Sequence, residues 1–398
     1  MLKTENKEEL ITLLQIELLT WFEGSKRELP FRQTKNPYAI WISEIMAQQT
    51  QIDTLIPYYN RFIESFPDVA ALADATADQV IKAWEGLGYY SRARNLHRAA
   101  KIIMADYAGC FPDNFSELIK LPGIGPYTGG AIASIAFNEK VSAVDGNVLR
   151  VISRYCNSFA DIGDAKTKKI VTQWVEAILP EPAGDFNEGL MELGAMICSP
   201  QNPRCLICPI RSGCQSHAFG TTSQLPVKKK KQKQARKKME VGILKQNGAL
   251  FFVKRPGSGL LSSMWSFPIV ETTAGGGEDI KKKLGEFFPE LSAPVFIGES
   301  RHVFSHIIWE MSLYRFDVES QVCEPPQAYP ADETVDDPPN HCRRLIIAPT
   351  NSSDETVDAL PIKTQFKGRA AIDDLALPVA FSKLFALIDD AQLQIDAK

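Results

Sequence analysis

Four cysteines within seventeen residues constrain the fold of this 398-residue chain more than any other feature. Cys198, Cys205, Cys208 and Cys214 have the spacing C-x6-C-x2-C-x5-C, and thiols this close together can converge on one metal centre. Zinc sites more often use two close cysteine pairs, whereas only one C-x2-C pair occurs here. Four-cysteine ligation of a [4Fe–4S] cluster fits the spacing better. Zinc and unligated buried cysteines are the alternatives.

The composition favours a globular chain of two or three domains, because 44% of its residues are hydrophobic. Its charge is unevenly distributed: residues 1–240 carry 29 basic and 26 acidic residues, and the remainder carries 15 and 22. Any basic surface must therefore be local. The N-terminal residues lack a secretory signal pattern, and no run of about 18 apolar residues predicts a membrane span. We expect a cytoplasmic protein without a membrane partner.

Apolar periodicity divides the chain into two domains. Residues 1–222 show helical spacing and predict an all-α domain. The lysine-rich segment that follows predicts a basic linker over residues 223–238. Residues 239–398 show strand and helix signals in turn and predict an α+β domain. Within it, residues 319–364 are rich in Pro, Asp and Thr and indicate a long insertion.

The second domain has several local signals. Asn247-Gly248 between two apolar runs predicts a β-hairpin. Strand-like runs cover Pro294–Gly298 and Ile307–Phe316, and helical patterns cover Asp279–Phe288 and Val379–Ile388.

A glycine-rich motif in the first domain indicates a helix–hairpin–helix over about residues 118–137. The segment begins Leu-Pro-Gly-Ile-Gly-Pro-Tyr, in which Gly123 and Gly125 permit a tight turn and close backbone approach. The following helix N-terminus can bind a DNA phosphate. A plain connection between two helices is the alternative. Downstream, Asp145 precedes a predicted helix start, where it can act as an N-cap, as a catalytic carboxylate, or as both.

A glutamate in the first domain lies within an apolar run. Glu44 is surrounded in sequence by Ile40, Trp41, Ile42 and Ile45. Burial there would raise its pKa and keep a proton available near neutral pH. The alternative is a glutamate on the solvent face of an amphipathic helix.

Together, the hairpin, Asp145 and the cysteine spacing resemble the endonuclease III-like superfamily of base-excision glycosylases. Bifunctional members of that superfamily carry a nucleophilic lysine just after the hairpin. This chain has Tyr127 there, and a phenol cannot form a Schiff base with the sugar. The resemblance therefore implies a monofunctional glycosylase.

The segment Trp-Ile-Ser-Glu-Ile-Met-Ala-Gln-Gln-Thr around Glu44 resembles the adenine DNA glycosylase (MutY) family within that superfamily. The resemblance implies that Glu44 protonates the adenine ring and that Asp145 stabilises or attacks the oxocarbenium-like sugar, a division of labour that parallels glycosidase chemistry. Tyr127 and Asn147 would shape the sugar side of the site. Ala47 replaces the leucine of the family pattern, and Phe31 replaces its tryptophan.

Further segments extend the resemblance. Phe-Asn-Glu ending at Glu188, and Arg32, match residues that line the adenine pocket. In the Gly-Leu-Gly-Tyr-Tyr-Ser-Arg stretch, Tyr89 resembles the family's wedge residue that enters the base stack, and Gln49 would fill space beside the extruded base. Arg92 and Arg94 of the same stretch are candidates for phosphate contacts.

The second domain resembles the family's Nudix-like domain. Phe304, Ser305 and His306 match the FSHxxW loop that reads 8-oxoguanine on the opposite strand. The segment beginning at Gly275 lacks the glutamate-rich helix that Nudix catalysis requires. We therefore predict a reader without pyrophosphatase activity.

The resemblance implies a monomeric adenine DNA glycosylase with a [4Fe–4S] cluster, acting at the bacterial-type nucleoid. Its partner would be double-stranded DNA containing adenine opposite 8-oxoguanine or guanine. The alternatives are a thymine mismatch glycosylase, an iron–sulfur protein that binds lesions without cutting, and a nucleotide pyrophosphatase.

Overall fold

The computed structural model describes residues 7–229, 234–246, 249–257, 259–285, 288, 290–317, 364–367, 372 and 375–389. The chain divides into two compact units, Met1–Lys231 and Gln232–Lys398, and this boundary falls inside the segment predicted as a linker. No described helix is long and apolar enough to cross a membrane.

The first unit is helical throughout its described elements, as the periodicity predicts. Short 3-10 turns lie at Pro30–Arg32, Cys205–Ile207 and Thr222–Gln224. Its α-helices are α1 (Lys7–Ser25), α2 (Pro37–Ala47), α3 (Ile52–Ser65), α4 (Val69–Asp74), α5 (Ala77–Ala83), α6 (Ser91–Asp106), α7 (Phe115–Leu118), α8 (Pro126–Phe137), α9 (Gly146–Tyr155), α10 (Ala165–Ala177), α11 (Ala183–Met196) and α12 (Gln215–Ala218).

Side-chain caps fix where several of these helices begin. Asn36 accepts a hydrogen bond from the amide of Tyr38 at the start of α2, and Asp164 accepts one from Thr167 at the start of α10. Helices α1, α9, α10 and α11 enclose a shared apolar core that includes Leu18, Ile152 and Phe186. This packing holds α9 and α11, which carry candidate site residues, in one rigid body.

The second unit is built around one mixed sheet with the strand order β3-β2-β1-β6-β5, as expected for an α+β domain. Strand β4 pairs with β1, and β7 pairs with β2. The strands are β1 (Ala235–Gln246), β2 (Ala249–Lys254), β3 (Trp265–Ser266), β4 (Ile269–Glu271), β5 (Val295–Val303), β6 (Ile307–Asp317) and β7 (Thr364–Lys367). The helices are α13 (Glu278–Gly285) and α14 (Val379–Ser382), followed by helical residues 384–389.

The predicted hairpin is confirmed, because Gln246 of β1 pairs antiparallel with Ala249 of β2. The turn residues Asn247 and Gly248 lie outside the described residues. The predicted strands and helices of this unit are also present, with β5 longer than its sequence pattern indicates. The predicted insertion, residues 319–364, lies outside the described residues except for Thr364.

The prediction that residues 223–238 form a linker is wrong at its C-terminal end. Strand β1 begins at Ala235 and pairs in parallel with β6 from Ile307 onward. On this part of the strand Arg236 and Lys238 are exposed and Lys237 is half-buried, and Arg236 forms an ion pair of 3.1 Å with Glu310. Composition alone indicates a tether because charged residues rarely nucleate a strand, but ladder pairing overrides that preference.

Candidate active site

Helix α2 places the Glu44 carboxyl in an enclosed site. The neighbouring residues Ile42, Ser43, Ile45 and Met46 are buried. Burial raises the pKa of Glu44 to about 7, and the negative charges of Glu188 and Asp145 act in the same direction. These couplings show that three carboxyl groups from separate parts of the chain share one site. A carboxyl with this pKa carries its proton about half of the time at neutral pH.

Tyr127 lies on the first turn of α8 and points its hydroxyl into the site. The hydroxyl donates a hydrogen bond to the Glu44 carboxylate and lies 3.3 Å from the Met191 sulfur. Burial raises the pKa of Tyr127 well above its ordinary value, so the phenol keeps its proton. The bond opposes the rise in the pKa of Glu44.

The glycine-rich turn that precedes α8 has the predicted form. Helices α7 and α8 flank it, and Gly123 adopts φ +81, a conformation that favours glycine. A Cβ there would lie 2.7 Å from the Asn95 Cβ. Gly125 differs, because its φ is −89 and it is the N-cap of α8.

Asp145 is the N-cap of α9, as predicted. One carboxylate oxygen accepts a 2.8 Å hydrogen bond from the amide of Val148, and the other accepts a 2.7 Å bond from the Asn147 side chain. Burial raises the pKa of Asp145, and both hydrogen bonds oppose this rise. The cap and the site therefore use the same carboxylate, whose orientation is fixed from two sides.

The structure brings Arg32 and Glu188 together and adds two residues that the sequence analysis missed. Arg32 Nε donates to Glu188 at 3.1 Å, and Arg32 Nη2 donates to Glu192 at 2.9 Å. Glu192 also accepts two 2.7 Å bonds from Arg27. Burial alone would raise the pKa of Glu192, but the bonds from Arg27 and Arg32 lower it to about 2.

One donor of this network has no partner. Arg32 Nη1 is buried and forms no hydrogen bond within the described part of the chain. Buried donors are rarely left unpaired, so this atom is suited to a polar ligand. The sequence could have indicated Glu192, because it lies one helical turn after Glu188 and therefore on the same helix face. No sequence motif marks Arg27.

Gln49 and Tyr89 follow two separate elements and share an unusual backbone conformation. Gln49 has φ 60 and Tyr89 has φ 49, both in the left-handed region. Tyr89 is 45% exposed, and its role as a wedge stays a prediction. Such strain often marks a functional site.

Arg92 is not free to contact a DNA phosphate, and that prediction is wrong. Its side chain is 9% exposed. Nη1 donates to the carbonyls of Ile45, Met46 and Gln48, and Nη2 donates to those of Leu87 and Gly88. The position of Arg92 in an arginine-rich stretch did not reveal its burial, because that burial depends on α6, which directs Arg92 toward α2. Arg94 is half-buried on the same helix, and its phosphate role stays a prediction.

The four cysteines line one pocket. It encloses about 390 Å³, part of it open to solvent, and its other walls include Val151, Ile197 and Ile210. No three His, Cys, Asp or Glu side chains in the described ranges are close enough to hold a single ion. The four thiols on one pocket supply the donors that a cysteine-held metal centre needs, and the identity of that centre stays a prediction.

Two buried arginines of α9 join this pocket to the rest of the unit. Arg154 Nη1 donates to the Ser199 carbonyl at 2.7 Å and lies 3.3 Å from the Cys198 sulfur. Arg150 Nε donates to the Cys198 carbonyl at 2.8 Å, and its Nη2 donates to Asn147 at 2.8 Å. Because Asn147 also bonds Asp145, the cysteine loop and the carboxylate share one hydrogen-bond chain.

In the second unit, the tip between β5 and β6 carries the predicted reader residues. Ser305 and His306 are exposed, and their side chains lie 3.3 Å apart. Phe304 packs inward against Trp309 with ring centroids 4.9 Å apart. Its carbonyl accepts a 2.6 Å bond from Gln234. The tip therefore exposes two polar side chains next to Phe304, which is held in place by Trp309 and Gln234.

Comparison with known proteins identifies the chain as a base excision DNA repair protein. Residues 42–177 match the HhH-GPD superfamily of base excision DNA repair proteins, and residues 240–387 match the NUDIX domain. The chain is 41% identical over 254 residues to the adenine DNA glycosylase of Buchnera aphidicola subsp. Baizongia pistaciae, covering 63% of this chain and 72% of the relative. It belongs to the adenine DNA glycosylase family.

Two further proteins are similar to parts of the chain. The adenine DNA glycosylase of Rattus norvegicus is 34% identical over 374 residues, covering 78% of this chain and 72% of the relative. The solved structure of a thermostable thymine-DNA glycosylase superimposes with a TM-score of 0.49 at 27% identity, covering 54% of this chain and all of that one.

Proposed function

We propose that this protein removes adenine mispaired with 8-oxoguanine or guanine by hydrolysing the N-glycosidic bond, without an efficient lyase step. The observation that carries the proposal is the Glu44 carboxyl, which is enclosed, bonded to Tyr127 and has its pKa raised to about 7. Family membership supports adenine as the excised base, because the relatives are named adenine DNA glycosylases.

Excision begins when adenine is extruded from the duplex into the site, which costs least at a mispair. The unpartnered Arg32 Nη1 and the Glu188 carboxylate are placed to meet polar edges of the base. Glu44 donates its proton to an adenine ring nitrogen and makes the base a neutral leaving group. A pKa near the working pH suits a general acid.

Asp145 acts on the sugar as positive charge develops there. Its two hydrogen bonds fix the carboxylate before the substrate arrives, so stabilising the oxocarbenium-like sugar requires little rearrangement. Tyr127 and Asn147 border the same carboxyl groups. The chain has a phenol where bifunctional relatives have lysine, so sugar–phosphate cleavage requires added alkali.

Cys198, Cys205, Cys208 and Cys214 would hold a [4Fe–4S] cluster. The shared pocket and the cationic neighbours Arg150 and Arg154 support this assignment. The cluster, when bound, supplies a cross-link that fixes the loop between α11 and α12.

Ser305 and His306 would read 8-oxoguanine, because both are polar, adjacent and exposed at an anchored hairpin tip. We propose that the protein acts as a monomer on double-stranded DNA, at the nucleoid of the cytoplasm.

Single-turnover cleavage tests the proposal directly. Duplexes carrying A opposite 8-oxoguanine, A opposite G, and T opposite G are incubated with excess protein, and each reaction is divided between alkali and no alkali. We expect strand breaks only after alkali, fastest for A opposite 8-oxoguanine. Breaks at T opposite G would support a thymine mismatch glycosylase instead. Tight binding without breaks would support a lesion-binding protein.

Two aspartates that cap helices provide a matched pair of variants. Asp145→Asn keeps the cap of α9 but removes the negative charge, so we expect binding without excision. Asp164→Asn makes the same change at the cap of α10, on the protein surface. We expect it to cleave like the parent protein, and turnover retained by Asp145→Asn would contradict the mechanism.

A further inference from the structure

Arg92 joins two backbone segments that end in candidate DNA-probing residues. Three of its five acceptors are carbonyls at the C-terminal end of α2, those of Ile45 and Met46 and that of the C-cap residue Gln48, which precedes Gln49. The other two are the carbonyls of Leu87 and Gly88, which precede Tyr89. All five distances lie between 2.7 and 3.2 Å. One guanidinium therefore replaces the partners that the last turn of α2 lacks and fixes a second turn against it.

Aromatic contacts strengthen this junction. The Arg92 guanidinium lies 5.6 Å from the Tyr89 ring centre and 5.2 Å from that of Trp84. The Trp84 indole donates a 3.1 Å hydrogen bond to the Gly88 carbonyl. Arg92 thus contacts the exposed tyrosine ring as well as the turn that carries it. The planar fork of arginine suits this role, and an ammonium cannot reproduce it.

We propose that Arg92 is a positioning residue that holds Tyr89 and Gln49 in register with each other for insertion beside the flipped nucleotide. The proposal rests on the function assigned above, because it needs those two side chains to act on DNA. Both residues adopt left-handed backbone conformations, which persist only when surrounding contacts enforce them. Arg92 supplies these contacts from inside the protein, without touching DNA itself.

The test combines a rate with a signal for insertion. Arg92→Lys and Arg92→Met are compared with the parent protein on A opposite 8-oxoguanine, with 2-aminopurine next to the mispair to report base unstacking. We expect the unstacking signal and the single-turnover rate to fall in the order Arg, Lys, Met, by about ten- to a hundredfold for Met. Arg98→Lys, on the exposed side of the same helix, is the control and should change neither quantity.

A double-mutant cycle separates positioning from general stability. In a Tyr89→Ala, Gln49→Ala background, Arg92→Lys should reduce the rate by less than about twofold, because the side chains it positions are gone. An equal reduction in both backgrounds would overturn the proposal. Arg92→Lys keeps the assay available if Arg92→Met does not fold, and thermal melting of each variant records that loss separately.

The same measurements distinguish this inference from the proposed function. If the parent protein cleaves none of the duplexes, yet Arg92 controls unstacking through Tyr89, then glycosylase activity fails and the positioning role stands. If the parent protein cleaves but the cycle shows no coupling, only the positioning role is wrong.

Discussion

Changing Tyr127 to phenylalanine should move the pH dependence of excision to higher pH. Burial raises the pKa of Glu44 from 4.5 to about 7, so about half of the carboxyls are protonated at pH 7. With the ordinary pKa, the protonated fraction would be about 150-fold smaller. The single-turnover rate of the parent protein should therefore fall above pH 7, approaching tenfold for each further pH unit.

The Tyr127 hydroxyl donates to the ionised form of Glu44 and lowers its pKa. Tyr127→Phe removes this donor while keeping the ring. A hydrogen bond to a charged group contributes about 1.5 kcal/mol or more, so the alkaline limb should move upward by roughly one pH unit. The assay is the single-turnover rate on A opposite 8-oxoguanine between pH 5 and about pH 10.

Tyr107→Phe is the matched control, because Tyr107 also donates to a glutamate, Glu117 at 3.1 Å, but at a half-buried position between the end of α6 and α7. Its pH profile should coincide with that of the parent protein. An alkaline limb for Tyr127→Phe that stays in place, or moves to lower pH, would refute the assignment of Glu44 as the acid.

Three further predictions concern separate parts of the molecule. Glu44→Gln should abolish excision and raise the melting temperature more at pH 8 than at pH 5. The pKa of Glu44 in the folded state lies above its unfolded value, so the stability of the parent protein falls between about pH 4.5 and 7. Equal changes in melting temperature at the two pH values would contradict the buried carboxyl. Cys205→Ser should lose bound iron and visible absorbance, whereas exposed Cys110→Ser should retain them; unchanged iron in the first variant would exclude the ligand set. His306→Ala should reduce the rate preference for 8-oxoguanine over guanine opposite adenine, and an unchanged ratio would remove its reading role.

Local sequence located much of the site because each motif is a short segment with one structural role. Asp145 could be assigned to a helix start because an N-cap is defined by neighbouring residues. Glu44 could be placed in an apolar setting because its own helix supplies the buried neighbours. Contacts between distant segments had no such signal. Arg27 and Glu192 are 165 positions apart, and only the packing of α11 joins them.

Sequence by itself determined the two-domain organisation, the helical and mixed classes of those domains, the cysteine spacing and the choice of Glu44, Asp145 and Glu188 as candidate site residues. Periodicity, turn residues and spacing are local properties, so they are present in the chain before it folds. Tertiary structure alone decided what each side chain faces. It buried Arg92 against carbonyls, although its arginine-rich stretch indicates a phosphate contact. It also extended β1 back to Ala235 by pairing with β6, although the composition indicates a linker. Direction, burial and long-range pairing depend on neighbours that the chain supplies only after folding.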